Sequence, residues 1–92
     1  MYINSTERNF EKFYLSILRG NEVEFKYLNR QFYVLPYFGN EIKAIGVRFG
    51  ESYSENEIVC LSQQELFTVQ IGSVEFGHVF SEIEIIWQNF EF

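Results

Sequence analysis

Few side chains of this chain combine the type and the setting that catalysis needs. His78 is the only histidine and Cys60 the only cysteine. A histidine base needs a nucleophile or an orienting acid beside it, whereas a reactive thiol needs an electropositive, accessible setting. His78 stands between Gly77 and Val79, and Cys60 lies in an apolar run within the half of the chain that has no cations. We therefore interpret His78 as an ordinary structural or surface histidine and Cys60 as a buried packing residue.

Two further patterns resemble functional motifs only superficially. The segment 72–77 reads GSVEFG, but His-Val follows it where a phosphate-binding loop needs Lys and then Ser or Thr. Glu22 and Glu24 stand two residues apart, as do Glu82 and Glu84. Glycoside-cleaving carboxylates lie across a cleft, whereas this spacing puts two carboxylates on the solvent face of one strand. We predict no catalytic residue and no enzymatic activity.

The residue types also suggest which cofactors the protein could bind and in which compartment it works. All thirteen acids are glutamate, whereas Ca²⁺ and Mg²⁺ sites rely heavily on aspartate at tight loop spacings. One cysteine provides neither a disulfide framework nor a multi-cysteine zinc site. The unpaired thiol, the lack of a signal-peptide pattern and the lack of an apolar run near about 18 residues indicate a cytoplasmic location. We expect no cofactor, no metal and no membrane association.

Charge is distributed unevenly along the chain. All seven lysines and arginines lie in the first 48 residues, whose formal charge is +2. From Phe49 onward there is no basic residue, and eight glutamates give −8. Such an asymmetry concerns partners and long-range fields rather than the fold. Dispersed cations and a net charge of −6 argue against direct nucleic-acid binding, which needs a concentrated basic face.

Two interpretations of the acidic half remain open. A glutamate-rich face can simply favour solubility. Alternatively, it can face a basic protein partner, because complementary potentials speed encounter and select the partner. A nuclease is a natural example, since its substrate groove must be cationic and a small acidic protein can imitate the phosphate backbone. The residues predicted to contact this partner are Glu51, Tyr53, Glu55, Glu57, Glu75, Glu82 and Glu84.

Aromatic residues make up 20% of the chain, which is more than one small core is expected to hold. Some should therefore lie in an interface, where aromatic side chains often anchor contacts. The candidates interleaved with the acids, several of which must belong to the core, are Phe49, Tyr53, Phe67, Phe76, Phe80, Trp87, Phe90 and Phe92.

An amphipathic helix is predicted over residues 5–19. Five apolar side chains follow the i, i+3, i+4, i+7, i+8 spacing of one helical face: Phe10, Phe13, Tyr14, Ile17 and Leu18. Asn4 or Ser5 would cap its start, and Gly20 is the residue type expected just past its end.

The apolar period then changes to two, which predicts strands. Four are expected, over residues 22–27, 31–35, 42–49 and 58–61. Asn29-Arg30 would form the first turn, and Pro36 would mark a strand edge or end. Gly46 is a candidate bulge. The fourth strand is apolar throughout, which predicts that it is buried.

The last third is predicted to contain two short helices. Ser62 and Glu65 have the spacing of a capping box, which would begin a helix that contains Leu66 and Phe67. A second helix is expected to begin near Ser73, with apolar side chains at helical spacing: Phe76, Val79, Phe80 and Ile83. The run 85–87, Ile-Ile-Trp, fits either a last helical turn or an added strand.

Several segments resemble parts of short bacterial proteins that accompany larger toxins. These segments are GNEVEFKY at 20–27, ELF at 65–67, Ile71-Gly72 and FSEIEI at 80–85. In size, acidity and α+β make-up the chain is similar to immunity proteins of contact-dependent growth inhibition systems. The resemblance implies a cytoplasmic protein that binds and neutralises a cognate toxin. It carries no functional residue over, and it departs at residues 72–74, which read Gly-Ser-Val where such families have Gly-Lys-x-Leu.

These patterns predict a single α+β domain over residues 1–92. An N-terminal helix would precede a three- to four-stranded antiparallel meander, and two short C-terminal helices would help to cover one sheet face. The expected function is that of an immunity or antitoxin protein that occludes the basic active or substrate site of a toxin nuclease. The alternative is a homo-oligomeric structural or regulatory module, such as a homodimer, in which the apolar segment 85–87 forms a self-interface.

Overall fold

The N-terminal helix forms where the apolar spacing predicts it. The structure, a computed structural model, describes residues 7–89, and α1 runs Glu7–Leu18. Its buried apolar side chains belong to the predicted face: Phe10, Phe13, Tyr14 and Ile17. Leu18 of that face is partly buried, and Ser16 is buried although the apolar pattern does not include it. Gly20 follows the helix at φ 99°, a conformation that glycine adopts readily, so the predicted helix end is confirmed. The predicted caps Asn4 and Ser5 lie outside the described residues.

A five-stranded antiparallel sheet follows the helix, as the α+β prediction requires. The strands of the described chain, in order, are β1 Val23–Tyr27, β2 Arg30–Tyr37, β3 Gly46–Glu51, β4 Glu57–Cys60, β5 Gln70–Ile71, β6 Val74–Glu75 and β7 Glu84–Gln88. The main sheet has the order β4-β3-β2-β1-β7, in which β1 to β4 form the predicted meander and β7 adds a strand beside β1. The segment 85–87, which fitted a helix or a strand, therefore belongs to a strand.

Two short helices lie in the last third, as predicted, but a hairpin separates them. The first, α2, runs Gln63–Phe67, and the Glu65 N–H donates a hydrogen bond of 3.1 Å to the Ser62 hydroxyl. The carboxylate of Glu65 accepts from the backbone N–H of Leu61, one residue before the position that a capping box uses. The prediction of Ser62 as the helix cap is thus confirmed. The bond to the Glu65 carboxylate differs from the predicted one, because its donor is the Leu61 N–H and not that of Ser62.

The second helix begins later than the sequence predicts. Strands β5 and β6 pair around the Gly72-Ser73 turn, with Gly72 at φ 65°. The helix α3 therefore runs Phe76–Val79, and a 3₁₀ turn continues it over Phe80–Glu82. A pattern of only two residues per strand is too short to be read from apolar periodicity.

The core lies between one face of the sheet and the helices. Buried side chains of β1, β2 and β3 point to the same side and meet the buried face of α1. Phe76 lies among these rings, with its ring centre 5.3 Å from those of Phe25 and Phe49 and 5.6 Å from that of Phe10. Edge-to-face and stacked pairs of this kind add to the burial of apolar area.

The first two strands differ in detail from the prediction. Their turn consists of Leu28 and Asn29, at φ 51° and 63°, rather than residues 29–30. Positive φ at both central residues is the geometry of a tight two-residue hairpin. Strand β2 continues through Pro36, because its ladder to β1 stops at Val34 and Pro36 therefore faces only β3. Proline has no N–H to donate, and on the side toward β1 there is no ladder at this position for its absence to disrupt.

The third and fourth predicted strands are wrong in their limits and burial. Strand β3 starts at Gly46 rather than residue 42, since residues 38–45 form a loop closed by the Ile45 N–H on the Tyr37 carbonyl at 2.8 Å. The observed register shift lies between β1 and β7 and not at Gly46: Glu24 pairs with Trp87 and Phe25 with Ile85, so Ile86 of β7 is the extra residue. Strand β4 is an edge strand in which Cys60 alone is buried. Strand order, which the local sequence does not contain, decides this exposure.

Candidate functional site

The antiparallel register brings most of the predicted partner residues to one end of the sheet. We call this the turn end: it comprises the Leu28-Asn29 turn, the β3–β4 loop at 52–56 and the start of β7. Tyr27 lies opposite Arg30, Phe32 lies opposite Glu51, and Lys26 lies opposite Glu84. The predicted residues found at or next to this end are Glu51, Tyr53, Glu55, Glu57, Glu82 and Glu84. Glu75 is the exception.

Glu51 is neutralised by a cation from the first half of the chain. Arg30 donates from Nε to Glu51 Oε2 at 3.0 Å and from Nη2 to Oε1 at 2.8 Å, which makes the interaction bidentate. The hydrogen bond from Arg30, followed by its charge, lowers the pKa of Glu51. The same hydrogen bond raises the pKa of Arg30. Both side chains are partly exposed, so the pair fixes geometry more than it adds stability.

Glu57 is engaged from two sides on the open face of the sheet. Its Oε2 accepts a hydrogen bond of 2.6 Å from the Tyr33 hydroxyl, and its Oε1 lies 3.7 Å from Arg48 Nη1. The hydrogen bond to Glu57 raises the pKa of Tyr33. Tyr33 reaches across Gly50, which stands between the two residues in register, and a Cβ on Gly50 would lie 2.3 Å from the Tyr33 hydroxyl oxygen. Gly50 therefore makes this contact possible.

The charge segregation along the sequence is therefore only partly kept in space. Arg30 and Arg48 bring positive charge to Glu51 and Glu57, which the sequence placed in a half without cations. Within the described residues, Glu55, Glu82 and Glu84 make no such ion pair. These three are the carboxylates of the turn end that remain available to a partner.

Two exposed apolar side chains project at the same end. Leu28 is 76% exposed and Tyr53 is fully exposed, and both have positive φ, 51° and 67°. A side chain with a Cβ adopts this backbone region at a cost of about 1–2 kcal/mol. Sequence reasoning singled out Tyr53 but missed Leu28. An aliphatic residue directly before Asn29 in a hairpin turn was the available signal, because such turns favour Asn-Gly and Asp-Gly.

Glu82 and Glu84 border a shallow depression beside Leu28. This depression has a volume of about 320 Å³, and its lining residues are Lys26, Tyr27, Leu28, Asn29, Glu82 and Glu84. Lys26 lies opposite Glu84 in the sheet, which reduces the local negative charge without removing it. The arrangement is an exposed aliphatic side chain with two carboxylates beside it.

Glu75 does not join the turn-end acids. It ends β6, and its Oε1 lies 3.1 Å from His78 Nε2, one helical turn further along. The imidazole of His78 also meets the ring of Phe67 edge-on, with ring centres 5.2 Å apart. This side chain is a surface histidine in contact with an acid and a ring, which agrees with the structural interpretation of His78.

Cys60 is buried, as the sequence predicts. Burial, and secondarily the charge of Glu65, raises the pKa of its thiol to about 11. At neutral pH such a thiol is almost entirely protonated, and the thiolate is the nucleophilic form. The packing interpretation therefore fits its surroundings.

The aromatic anchors and the apolar segment 85–87 separate into core and surface. Phe49, Phe76 and Phe80 are buried and cannot serve as contacts, whereas Trp87 is about half exposed. Of the three residues of segment 85–87, Ile85 belongs to the core, so its inclusion in a self-interface is wrong. Phe90 and Phe92 lie outside the described residues.

Comparison with known proteins gives no family to which the site can be referred. Among residues 7–89, no group of three or more His, Cys, Asp or Glu side chains is placed to hold a metal ion. None of the helices in that range has the length and apolar character needed to cross a bilayer. No protein-family model, curated protein or solved structure matches the chain.

Proposed function

We propose that this chain is a cytoplasmic immunity or antitoxin protein. In this proposal it binds a basic toxin domain, a nuclease, through its turn end and covers the toxin's substrate groove, and it performs no chemistry. The observation that supports the proposal is the gathering of unpaired carboxylates and exposed apolar side chains at one end of the sheet: Glu55, Glu82, Glu84, Leu28 and Tyr53.

Each group at the turn end has a role that such binding requires. Carboxylates that meet the lysines and arginines of a phosphate-binding groove speed the encounter and set the orientation of the partners. Leu28 and Tyr53 gain most from burial, because both lie in water in the free protein. Central apolar and aromatic anchors surrounded by polar contacts provide most of the affinity in protein interfaces.

The paired acids would contribute in a different way. Arg30 and Arg48 hold the carboxylates of Glu51 and Glu57 in fixed positions. A side chain that is already ordered loses less conformational entropy when a partner binds. We therefore expect Glu51 and Glu57 to shape the surface, and Glu55, Glu82 and Glu84 to provide its attraction.

The test uses the product of the neighbouring gene, if basic and toxic when expressed alone, as the partner. Glu55→Lys/Glu82→Lys is compared with Glu11→Lys/Glu41→Lys, which makes the same change of net charge at exposed positions away from the turn end. Association is measured by stopped flow or surface plasmon resonance at low and high salt. We expect the turn-end variant to associate at least about tenfold more slowly at low salt, with a smaller difference at high salt.

Two further measurements, a dissociation rate and a survival assay, complete the test. Tyr53→Ala should speed dissociation about tenfold while leaving association nearly unchanged, because an apolar anchor acts after encounter. Cells that express the toxin should survive with wild-type protein and with the Glu11→Lys/Glu41→Lys control. Equal association rates for the two charge variants, or full protection by the turn-end variant, would contradict the proposed function.

A further inference from the structure

A second surface of this molecule combines charge with exposed apolar side chains, at the end of the sheet opposite the turn end. There a cleft of about 420 Å³ opens between the end of α1 and the β2–β3 loop. We call it the basic cleft, and its lining residues are Leu18, Arg19, Gly20, Phe38, Ile42, Lys43 and Ala44. Its volume lies within the range of about 300–1,000 Å³ that is common for binding sites.

The lining of the basic cleft requires a particular occupant. Its walls are largely apolar, and Ile42 at its rim is 97% exposed, an unusual position for an isoleucine. Arg19 and Lys43 make no ion pair with the side chains that the structure describes, those of residues 10–89. Glu41 lies on the same loop but does not line the cleft. The fitting occupant is an apolar side chain that is flanked by carboxylates.

The turn end of the same chain presents such a group. Leu28 projects from the β1–β2 turn, and Glu82 and Glu84 border the depression beside it. Lys26 offsets one of these charges, so the local balance is negative while that of the basic cleft is positive. Both the apolar and the charged parts of the two surfaces are therefore complementary.

We propose that copies of this chain associate head to tail. The Leu28 turn of one copy enters the basic cleft of the next, and Glu82 and Glu84 face Arg19 and Lys43. Because the two surfaces differ, a row of copies keeps one free surface of each kind, one at either end. The assembly therefore grows with concentration instead of closing as a symmetric dimer. The inference does not rest on the proposed function, but it uses the same turn end, so self-association and toxin binding exclude each other.

The experiment is sedimentation velocity at protein concentrations from about 10 µM to 1 mM, because association through a small interface becomes measurable in this range. We expect the average mass of the wild-type protein to rise through this range without a plateau at the dimer. Arg19→Glu/Lys43→Glu and Glu82→Lys/Glu84→Lys should each weaken association at least about tenfold, since each replaces attractive pairs by repulsive ones.

The quadruple variant that combines both doubles is the decisive control. Its net charge equals that of the wild type, and its two surfaces are again opposite in sign, so we expect its association to recover. A wild-type protein that remains monomeric at 1 mM, a mass that stops at the dimer, or a folded quadruple variant that stays dissociated would each overturn the proposal. Arg19→Glu/Lys43→Glu leaves the turn end intact, so its toxin binding tests the proposed function separately.

Discussion

Replacing Gly50 with alanine should destabilise this protein because the Tyr33 side chain occupies the space that the new methyl group would need. An alanine Cβ would lie 2.3 Å from the Tyr33 hydroxyl oxygen and 2.4 Å from Cζ. The tyrosine would have to move off the sheet, and its hydrogen bond of 2.6 Å to Glu57 would be lost. The same substitution in an ordinary strand has the opposite effect, because alanine loses less conformational entropy than glycine on folding.

The magnitude follows from three contributions. Loss of the hydrogen bond to a charged but solvent-accessible acceptor costs about 1–1.5 kcal/mol. Loss of the cross-strand contact of the ring costs about 0.5–1 kcal/mol. The alanine returns about 0.5–1 kcal/mol through reduced backbone entropy. Gly50→Ala should therefore lower the free energy of unfolding by about 0.5–2 kcal/mol, whereas in a Tyr33→Ala background it should raise it by about 0.5–1 kcal/mol.

Urea unfolding followed by far-ultraviolet circular dichroism measures both effects. With a denaturant dependence near 1 kcal/mol per molar urea for a chain of this size, the midpoint should fall by about 0.5–2 M in the wild-type background. It should rise by about 0.5–1 M in the Tyr33→Ala background. Tyr33→Phe isolates the contribution of the hydroxyl. If Gly50→Ala stabilises both backgrounds equally, Tyr33 does not lie over Gly50 and the reasoning fails.

Further predictions concern the core, the turn and two titrating groups. Phe76→Ala should lower the free energy of unfolding by about 3–5 kcal/mol in urea denaturation, because it removes a ring at the centre of the core. Leu28→Asn should raise the melting temperature slightly, since asparagine adopts positive φ more readily than leucine. A lower melting temperature would contradict the inference that the Leu28 backbone is strained. Cys60 should react with alkylating reagents about a hundredfold more slowly at pH 8 than a free thiol. Because burial raises the pKa of Cys60 from an ordinary value of 9.0 to about 11 in the folded protein, its contribution to stability is lost between those pH values, and the fall in stability there should be smaller in Cys60→Ala than in the wild type. Arg30 lowers the pKa of Glu51, so the contribution of this carboxylate to folding stability is present above pH 4.5 and is lost as pH falls through the lower folded pKa. The difference in stability between the wild type and Glu51→Gln should therefore vanish below that folded pKa.

The elements with a clear apolar period could be predicted from the sequence. Phe10, Phe13 and Ile17 repeat with the helical spacing, and this local pattern is enough to predict that they face the core. The exposure of Ile58 and Val59 could not be predicted, because a short apolar run is equally compatible with a central strand and an edge strand. Which of the two forms depends on strand order, a property of the whole chain.

The candidate site was predicted in composition but not in arrangement. Glu51 and Glu57 flank the β3–β4 loop and are near each other in sequence, so their proximity required no knowledge of the fold. Their pairing with Arg30 and Arg48 depends on the register of β2, β3 and β4, which a shift of one residue would change. The basic cleft arises where the end of α1 meets the β2–β3 loop, segments distant in sequence, and no local pattern indicates it.

The place of β7 beside β1 has a consequence for the order of folding. The Glu22 N–H donates to the Asn89 side chain, 67 positions away, while β1 to β4 are joined by short connections. Contacts between distant segments require closure of a large loop, and they slow folding relative to local pairing. We expect the four-stranded meander to form early and β7 to dock late. Until then the outer edge of β1 has free hydrogen-bonding groups, so a nascent chain on the ribosome would be vulnerable to aggregation at that edge.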